Sequence, residues 1–297
     1  MKYITLIVAL LFSQLLFANT PYIIGNQLFM INNDGFRDNK KPGDWNFRNI
    51  ENSFKKVSEK VYIAETETTN EQYNDFLNQL LADKNYDLLM QVKSEKTNWR
   101  SLLPSKYNTL TDAEIYANAN PNNGNCPVQN LPYIGAVEYC KFLTDLYNNN
   151  TWKKKKFKRV TFRLPTEAEW KNAAHGGNNP SWDYPWGYEP RTPKGCFLSN
   201  YDCNNENCTE CKISQKSASK DGGFFPVQAD AYYPNAFGLY GIVGNVAEMV
   251  QEQGIAKGGS WQDEPSQCTI LAQKKYTTPS PAIGFRVLME VVERLAE

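Results

Sequence analysis

After Ser181 the chain is dominated by aromatic residues, Gly, Pro and Asn, and few stretches repeat at helical spacing. Such a region can pack only by wrapping loops and short strands around Trp and Tyr anchors. No internal repeat or low-complexity linker divides it, and at 297 residues the chain lies near the ~250–300 at which a single core stops growing. One domain is expected.

Lys+Arg and Asp+Glu both number 32, so no overall basic field exists to gather phosphate backbones, and nucleic acid is not an expected partner. Met1-Lys2 and the apolar run Ile4 to Phe17 have the form of a charged n-region and an h-region, too short for the ~20 residues that span a bilayer. Residues 1–18 therefore read as a secretory signal cleaved near Ala18. The first cysteine is Cys126, so no lipid-attachment cysteine follows the run. The expected mature product is soluble, lacks a transmembrane segment and resides in the periplasm or outside the cell, where thiols tend to oxidise.

The single histidine, His175, excludes sites built from two or more histidines, including the HExxH zinc helix, the two-His iron triad and the His₃ zinc centre. It stands before Gly176-Gly177 at an expected helix end, where a cation suits the dipole. The seven cysteines leave at least one without an intrachain partner. Cys196, Cys203, Cys208 and Cys211 are spaced C-x6-C-x4-C-x2-C, which suits two disulfides in an exported loop or a tetrahedral zinc site.

Along the chain, residues 22–54 read as short strands and turns, and Val61–Ala64 as a strand. Thr68-x-x-Glu71 forms a capping box before Tyr73, Phe76, Leu77, Leu80 and Leu81, which predicts a helix starting at Thr68. Residues 83–126 are polar and irregular and read as a surface insertion. A second helix is expected over Ile134–Tyr147. The run Trp152 to Arg159 reads as a solvated loop leading into a strand at Val160–Leu164, and a third helix is started by Thr166-x-x-Glu169 and stopped by Gly176-Gly177.

Four segments jointly resemble the formylglycine-generating enzyme family, also called the sulfatase-modifying-factor domain. They are Phe162-Arg163-Leu164-Pro165-Thr166-Glu167-Ala168-Glu169-Trp170, Tyr184-Pro185-Trp186-Gly187, the stretch from Pro234 through Gly238-Leu239-Tyr240 to Gly244-Asn245-Val246-Ala247-Glu248, and Lys257-Gly258-Gly259-Ser260-Trp261 with Gly284-Phe285-Arg286. Glu65 to Asn70, Pro127-Val128 and Tyr139-Cys140 look like the family's earlier landmarks. The resemblance implies an α+β fold of C-type-lectin-like, sulfatase-modifying-factor type, single-domain, with low regular secondary structure and long loops. It places an N-terminal segment over 19–54 packing on the domain, the domain itself over 55–292, and insertions near 83–126 and 196–220.

In active members of that family, two cysteines after the Gly-Gly-Ser bind copper(I) and, with oxygen, convert a substrate cysteine in a Cys-x-Pro-x-Arg segment to formylglycine. Here the first of those positions is Asp263 and the second is Cys268. A carboxylate is a hard oxygen ligand and cannot stand in for a thiolate toward soft copper(I), so copper is not an expected cofactor. Ser260 and Trp261 match the family's substrate groove, although Ser260 would serve equally to fix the turn. Cys140 stands where some members have a disulfide cysteine, but the partner position is Val287.

The resemblance also implies structural calcium. Asn200, Tyr201, Asp221 and Gly223 occupy the places of one family site, and mixed oxygen ligands suit Ca²⁺. Gly244, Val246 and Glu248 match a second, weakened because Gly241 supplies no side-chain oxygen; turn chemistry would account for either set. The reading that follows is an exported, non-oxidase family member that binds an envelope protein or glycan partner; the resemblance also takes in lipoproteins of gliding and secretion machineries that keep the Gly-Gly-Ser-Trp segment without the copper pair, although this chain lacks their lipid-anchor cysteine. The alternative is an enzyme: a formylglycine-generating oxidase with a displaced thiol, or a relative with different chemistry.

Overall fold

The computed structural model describes residues 21–24, 27–30, 47–95, 99–102, 109, 111, 114–115, 124–150, 155–202 and 225–295. The region read as a signal segment, and Cys203, Cys208, Cys211, Asp221 and Gly223, lie outside the described residues. A hairpin of β1 (Pro21–Ile24) and β2 (Gln27–Met30) precedes helix α1 (Phe47–Asn52). α1 joins the domain through Glu51, whose carboxylate accepts hydrogen bonds from the Tyr147 hydroxyl (2.5 Å) and the Lys156 amide (2.7 Å).

Two four-stranded sheets follow. In the first, β3 (Phe54–Lys56), β4 (Val61–Ala64), β10 (Leu288–Arg294) and β5 (Phe157–Arg163) lie in that order, all antiparallel. The second has the order β8 (Gln273–Lys275), β7 (Ile255–Lys257), β6 (Ala247–Met249) and β9 (Ile283–Phe285). Its β6–β9 pair is parallel, with Ala247 opposite Ile283.

Helix α2 (Asn70–Ala82) starts one residue later than Thr68-x-x-Glu71 suggested. The capping box is Thr69 with Gln72, because the Thr68 backbone is already committed: its amide donates to Phe285 O and its carbonyl accepts from Val128 N. Helix α4 (Tyr133–Asn149) extends the expected second helix slightly at both ends. Helix α5 (Glu167–His175) has the Thr166–Glu169 capping box and ends at left-handed Gly176, as the sequence implied.

The 83–126 stretch differs from the expected surface loop. It contains helix α3 (Tyr86–Val92), capped by Asn85, with Leu89 and Val92 buried. Trp99 and Ile115 are also buried, so the stretch supplies core as well as surface.

One core packs α2 and α4 against β5 and β10, with Tyr73 and Tyr139 each in edge or tilted contact with Phe76, Phe285 and one another at 5.6–6.0 Å. Cys140 is a free, buried thiol in this core, and the side chain of Val287 is buried in the same core. A second core gathers Trp170, Ala173 and Ala174 of α5 with Ile63, Leu239, Ile242, Val243, Val250 and Ile270. Smaller clusters around Trp261 and around Cys268 carry the candidate site.

Candidate functional site

β7 ends at Lys257, and the chain then reverses through Gly258 and Gly259, both with positive φ (88° and 67°). At Gly259 a side chain is excluded twice, since a Cβ there would lie 2.7 Å from Cys268 Sγ as well as requiring strained backbone. The reversal is tied to 244–245 by backbone bonds from Gly244 N to Gly258 O (2.8 Å) and from Trp261 N to Asn245 O (2.9 Å). It delivers Ser260, Asp263 and Cys268 to one place.

The chemistry assembled there is an ion pair. The Asp263 carboxylate receives Lys274 Nζ at 2.8 and 2.9 Å and the Ser260 hydroxyl at 2.6 Å. Lys274 comes from β8, opposite Ala256 of β7. Cys268 is fully buried, with Sγ directed at the carbonyls of Ser260 (3.5 Å) and Asp263 (3.7 Å). Burial first, and the Asp263 charge second, push its thiol well above the ordinary range, which disfavours the thiolate that a soft metal needs.

The other free cysteines among the described residues are elsewhere. Cys140 is in the first core, and Cys126 contacts Pro226 O at 3.9 Å, whereas Cys268 packs with Phe197 and Tyr201. Cys196 is not among these free thiols. Among the described residues no group of three or more His, Cys, Asp or Glu side chains is arranged to hold a metal.

Ser260 and Trp261 are both fully buried. Trp99 and Phe225 stack on Trp261, at 6.2 and 5.7 Å, and Ile115 joins the same cluster. Ser260 bonds the Asp263 side chain rather than the backbone of its turn.

Asn200 is fully buried and donates through Nδ2 to Phe225 O (3.0 Å) and to Asn245 Oδ1 (3.1 Å), which leaves its own Oδ1 buried without a partner among the described residues. An unsatisfied amide oxygen of this kind costs about 1–3 kcal/mol and is the donor type Ca²⁺ accepts. Tyr201 is buried beside it.

The second set is arranged differently. Glu248 is buried with both carboxylate oxygens engaged, by Arg286 at 2.7–3.1 Å and by the Trp170 indole at 2.7 Å. Asn245, between Gly244 and Val246, connects the two sets: its Nδ2 donates to Glu67 Oε1 (2.9 Å), and its Oδ1 accepts from Val227 N and Asn200. Glu67 is fully buried, and burial raises its carboxyl to about 8 against the opposing pull of Arg286. Its other oxygen has no hydrogen-bond partner and fills the space left by Gly241, where a Cβ would approach to 2.4 Å.

With this geometry in view, the sequence profile described as "Sulfatase-modifying factor enzyme 1-like domain" matches residues 39–291. The chain belongs to the sulfatase-modifying factor family. It is 29% identical over 191 residues to the formylglycine-generating enzyme of Mus musculus, covering 56% of this chain and 44% of that one. It is 36% identical over 124 residues to the formylglycine-generating enzyme of Thermomonospora curvata (42% and 32% covered) and 35% over 112 residues to the inactive C-alpha-formylglycine-generating enzyme 2 of Bos taurus (34% and 33%). The matches thus span less than half the length of these curated relatives. Among solved structures, CarF aligns over 80% of this chain and 87% of its own, at 19% identity and a TM-score of 0.46.

Within the sulfatase-modifying factor family's framework, the motifs marked out Ser260, Trp261, Asp263 and Cys268; the structure brings Ser260, Asp263 and Cys268 together and sends the Trp261 ring into a separate cluster with Trp99, Ile115 and Phe225. It does not bring Glu248 to an open ligand position, because Arg286 and Trp170 hold it. The sequence reading did not find Lys274, Trp99, Glu67 or Asn245 as partners. Glu67 and Asn245 stand inside quoted family motifs, which was their only signal; Lys274 and Trp99 carried none.

Proposed function

We propose that this protein is an exported sulfatase-modifying factor family member without formylglycine-generating oxidase activity, acting as a binding component at the cell envelope. One observation carries the reading. Where active relatives place the first copper cysteine, Asp263 is locked to Lys274, while Cys268 has no second thiol beside it among the described residues. These groups, a carboxylate held by an ammonium and a single buried thiol, do not fit copper(I). The likeness to relatives named as inactive formylglycine-generating enzymes supports the same conclusion.

Export is supported by the charged and apolar pattern of residues 1–18. Disulfide pairing within the Cys196–Cys211 cluster is supported by the bonded state of Cys196. Calcium at Asn200, with the Tyr201 carbonyl, Asp221 and Gly223 as the remaining members of the set, is supported by the orphaned Asn200 oxygen. The partner class is an envelope protein or glycan. The deciding experiment incubates the purified protein with copper(I), oxygen and a Cys-x-Pro-x-Arg peptide and seeks the aldehyde by mass spectrometry. No product is expected; a copper-dependent product overturns the reading.

A further inference from the structure

Near its end β10 departs from regular pairing, and the departure exposes an apolar side chain among cations. Val291 lies opposite Val160 and Glu293 opposite Arg159, so the register passes over Val292; Arg294 then lies opposite Phe157, which passes over Lys158. Each skipped residue is the extra one of a β-bulge, a feature that re-aims a side chain. Val292 is 45% exposed, and Leu295, just beyond the strand, is 48% exposed.

Neighbouring segments bring positive charge to the same end of the sheet. Val291 N donates to Lys60 O (2.8 Å) and Arg294 Nη2 to Glu59 O (2.7 Å), which fixes the β3–β4 turn beside the end of β10. Lys56 stands at the base of that turn, opposite Tyr62, and Lys156 precedes β5. Lys56, Lys60, Lys156, Lys158, Arg159 and Arg294 are all exposed. At about 4.8 Å between neighbouring strands, the four strands that carry them span roughly 15 Å.

The carboxylates beside these cations are few. Glu293 meets Lys158 at 2.6 Å with both side chains exposed, so water and salt weaken the pair. Glu290, farther into the sheet, is held by Arg163 at 3.1 Å. Glu59 is the other acid of the β3–β4 turn. This end therefore carries an excess of positive charge, although the whole chain has a formal net charge of zero. Lys153 and Lys154 lie outside the described residues and are not counted in that excess.

We propose that this end of the β3–β4–β10–β5 sheet docks on a bilayer surface bearing anionic headgroups. The cations meet the lipid phosphates, and Val292 and Leu295 enter the boundary between headgroups and acyl chains. The two aliphatic side chains select a bilayer over a soluble polyanion, which offers charge and nothing apolar. None of these residues belongs to the Asp263 site, so oxidase activity there would leave the surface unchanged.

Co-sedimentation of the purified protein with phosphatidylcholine vesicles containing about one-third phosphatidylglycerol tests this, against vesicles of phosphatidylcholine alone. Binding should be at least about tenfold stronger to the anionic vesicles and should fall as salt rises. Lys56→Gln/Lys60→Gln/Arg159→Gln should weaken it by about tenfold or more, whereas Lys84→Gln/Lys141→Gln/Lys194→Gln, the same change of charge on other segments, should alter it by less than about twofold. Val292→Ser/Leu295→Ser should weaken it by about five- to tenfold. All these positions are exposed and the variants share residues 1–18, so differences between them report on the sheet end. No preference for anionic vesicles, or equal losses in the two triple variants, overturns the proposal. Full binding by the serine variant also overturns it, because the surface would then suit a soluble polyanion.

Discussion

Trp99 lies nearly parallel to Trp261, with ring centroids 6.2 Å apart and planes 20° apart. A residue of the 83–126 stretch thus covers the Gly-Gly-Ser-Trp segment, and Ile115 and Phe225 complete the cover. Both tryptophans are almost completely buried, so the contact joins two loops distant in sequence. Trp99→Ala should therefore cost about 3–5 kcal/mol, the usual range for deleting a buried aromatic. Urea unfolding reads the loss, and acrylamide quenching of the remaining tryptophan fluorescence should rise as Trp261 becomes accessible. Unchanged quenching would show that Trp99 does not cover Trp261 in solution.

The Asp263–Lys274 pair makes a separate prediction. Lys274→Met leaves a largely buried carboxylate with Ser260 as its one hydrogen-bond donor among the described residues, at an expected cost of about 1.5–3 kcal/mol for a charge-assisted hydrogen bond. Adding Asp263→Asn should recover part of that loss, because the unpaired charge goes with it. A double-mutant cycle by chemical denaturation measures the coupling. Additive effects would mean that the pair contributes nothing in solution.

Cys126, Cys140 and Cys268 are all buried, and burial raises each thiol, with Cys126 pushed up to about 12. Iodoacetamide at pH 8, mapped by peptide mass spectrometry, should leave these three unmodified in the folded protein and label them in guanidinium. Rapid labelling of Cys268 in the native state would contradict the packing described around it.

What the sequence disclosed followed from local chemistry. The Thr166–Glu169 box and the Gly176 stop define α5 within a few residues, so capping and a left-handed terminus sufficed. At α2 the same logic shifted by one residue, since Phe285 and Val128 claim the Thr68 backbone and tertiary pairing decides which threonine is free to cap. Asp263 stood out because a motif surrounds it. Lys274 could not, because Lys274-Lys275 in a short strand looks like solvated charge until β8 is paired with β7. The cover by Trp99 was hidden for a related reason: a lone Trp in a polar stretch has no periodicity to reveal its partner.

Arg163 holds the Glu169 carboxyl down at about 2 through paired hydrogen bonds of 2.7 Å, with the Thr166 backbone adding to the effect against desolvation. A carboxyl depressed in the folded state contributes stability above its ordinary value of 4.5, and that contribution is lost as pH falls toward 2. Stability from urea unfolding should therefore decline across that window. Glu169→Gln should flatten the decline while lowering stability near neutrality. If both proteins show the same slope between pH 4.5 and 2, Glu169 is not the group responsible.

The orphaned Asn200 oxygen and the engaged Glu248 carboxylate lead to opposite expectations for calcium. Asn200 Oδ1 is buried and unpaired, so a cation there would relieve an existing cost. Ligand linkage then requires a higher melting temperature with Ca²⁺ than with chelator, by about 2.7 kcal/mol of added stability when calcium stands at a hundred times its Kd. Asn200→Ala should abolish that difference. Glu248 already receives Arg286 and Trp170, so Glu248→Gln should destabilise the protein to the same extent with and without calcium. A calcium effect lost in Glu248→Gln but kept in Asn200→Ala would reverse the assignment and place the ion at the second set.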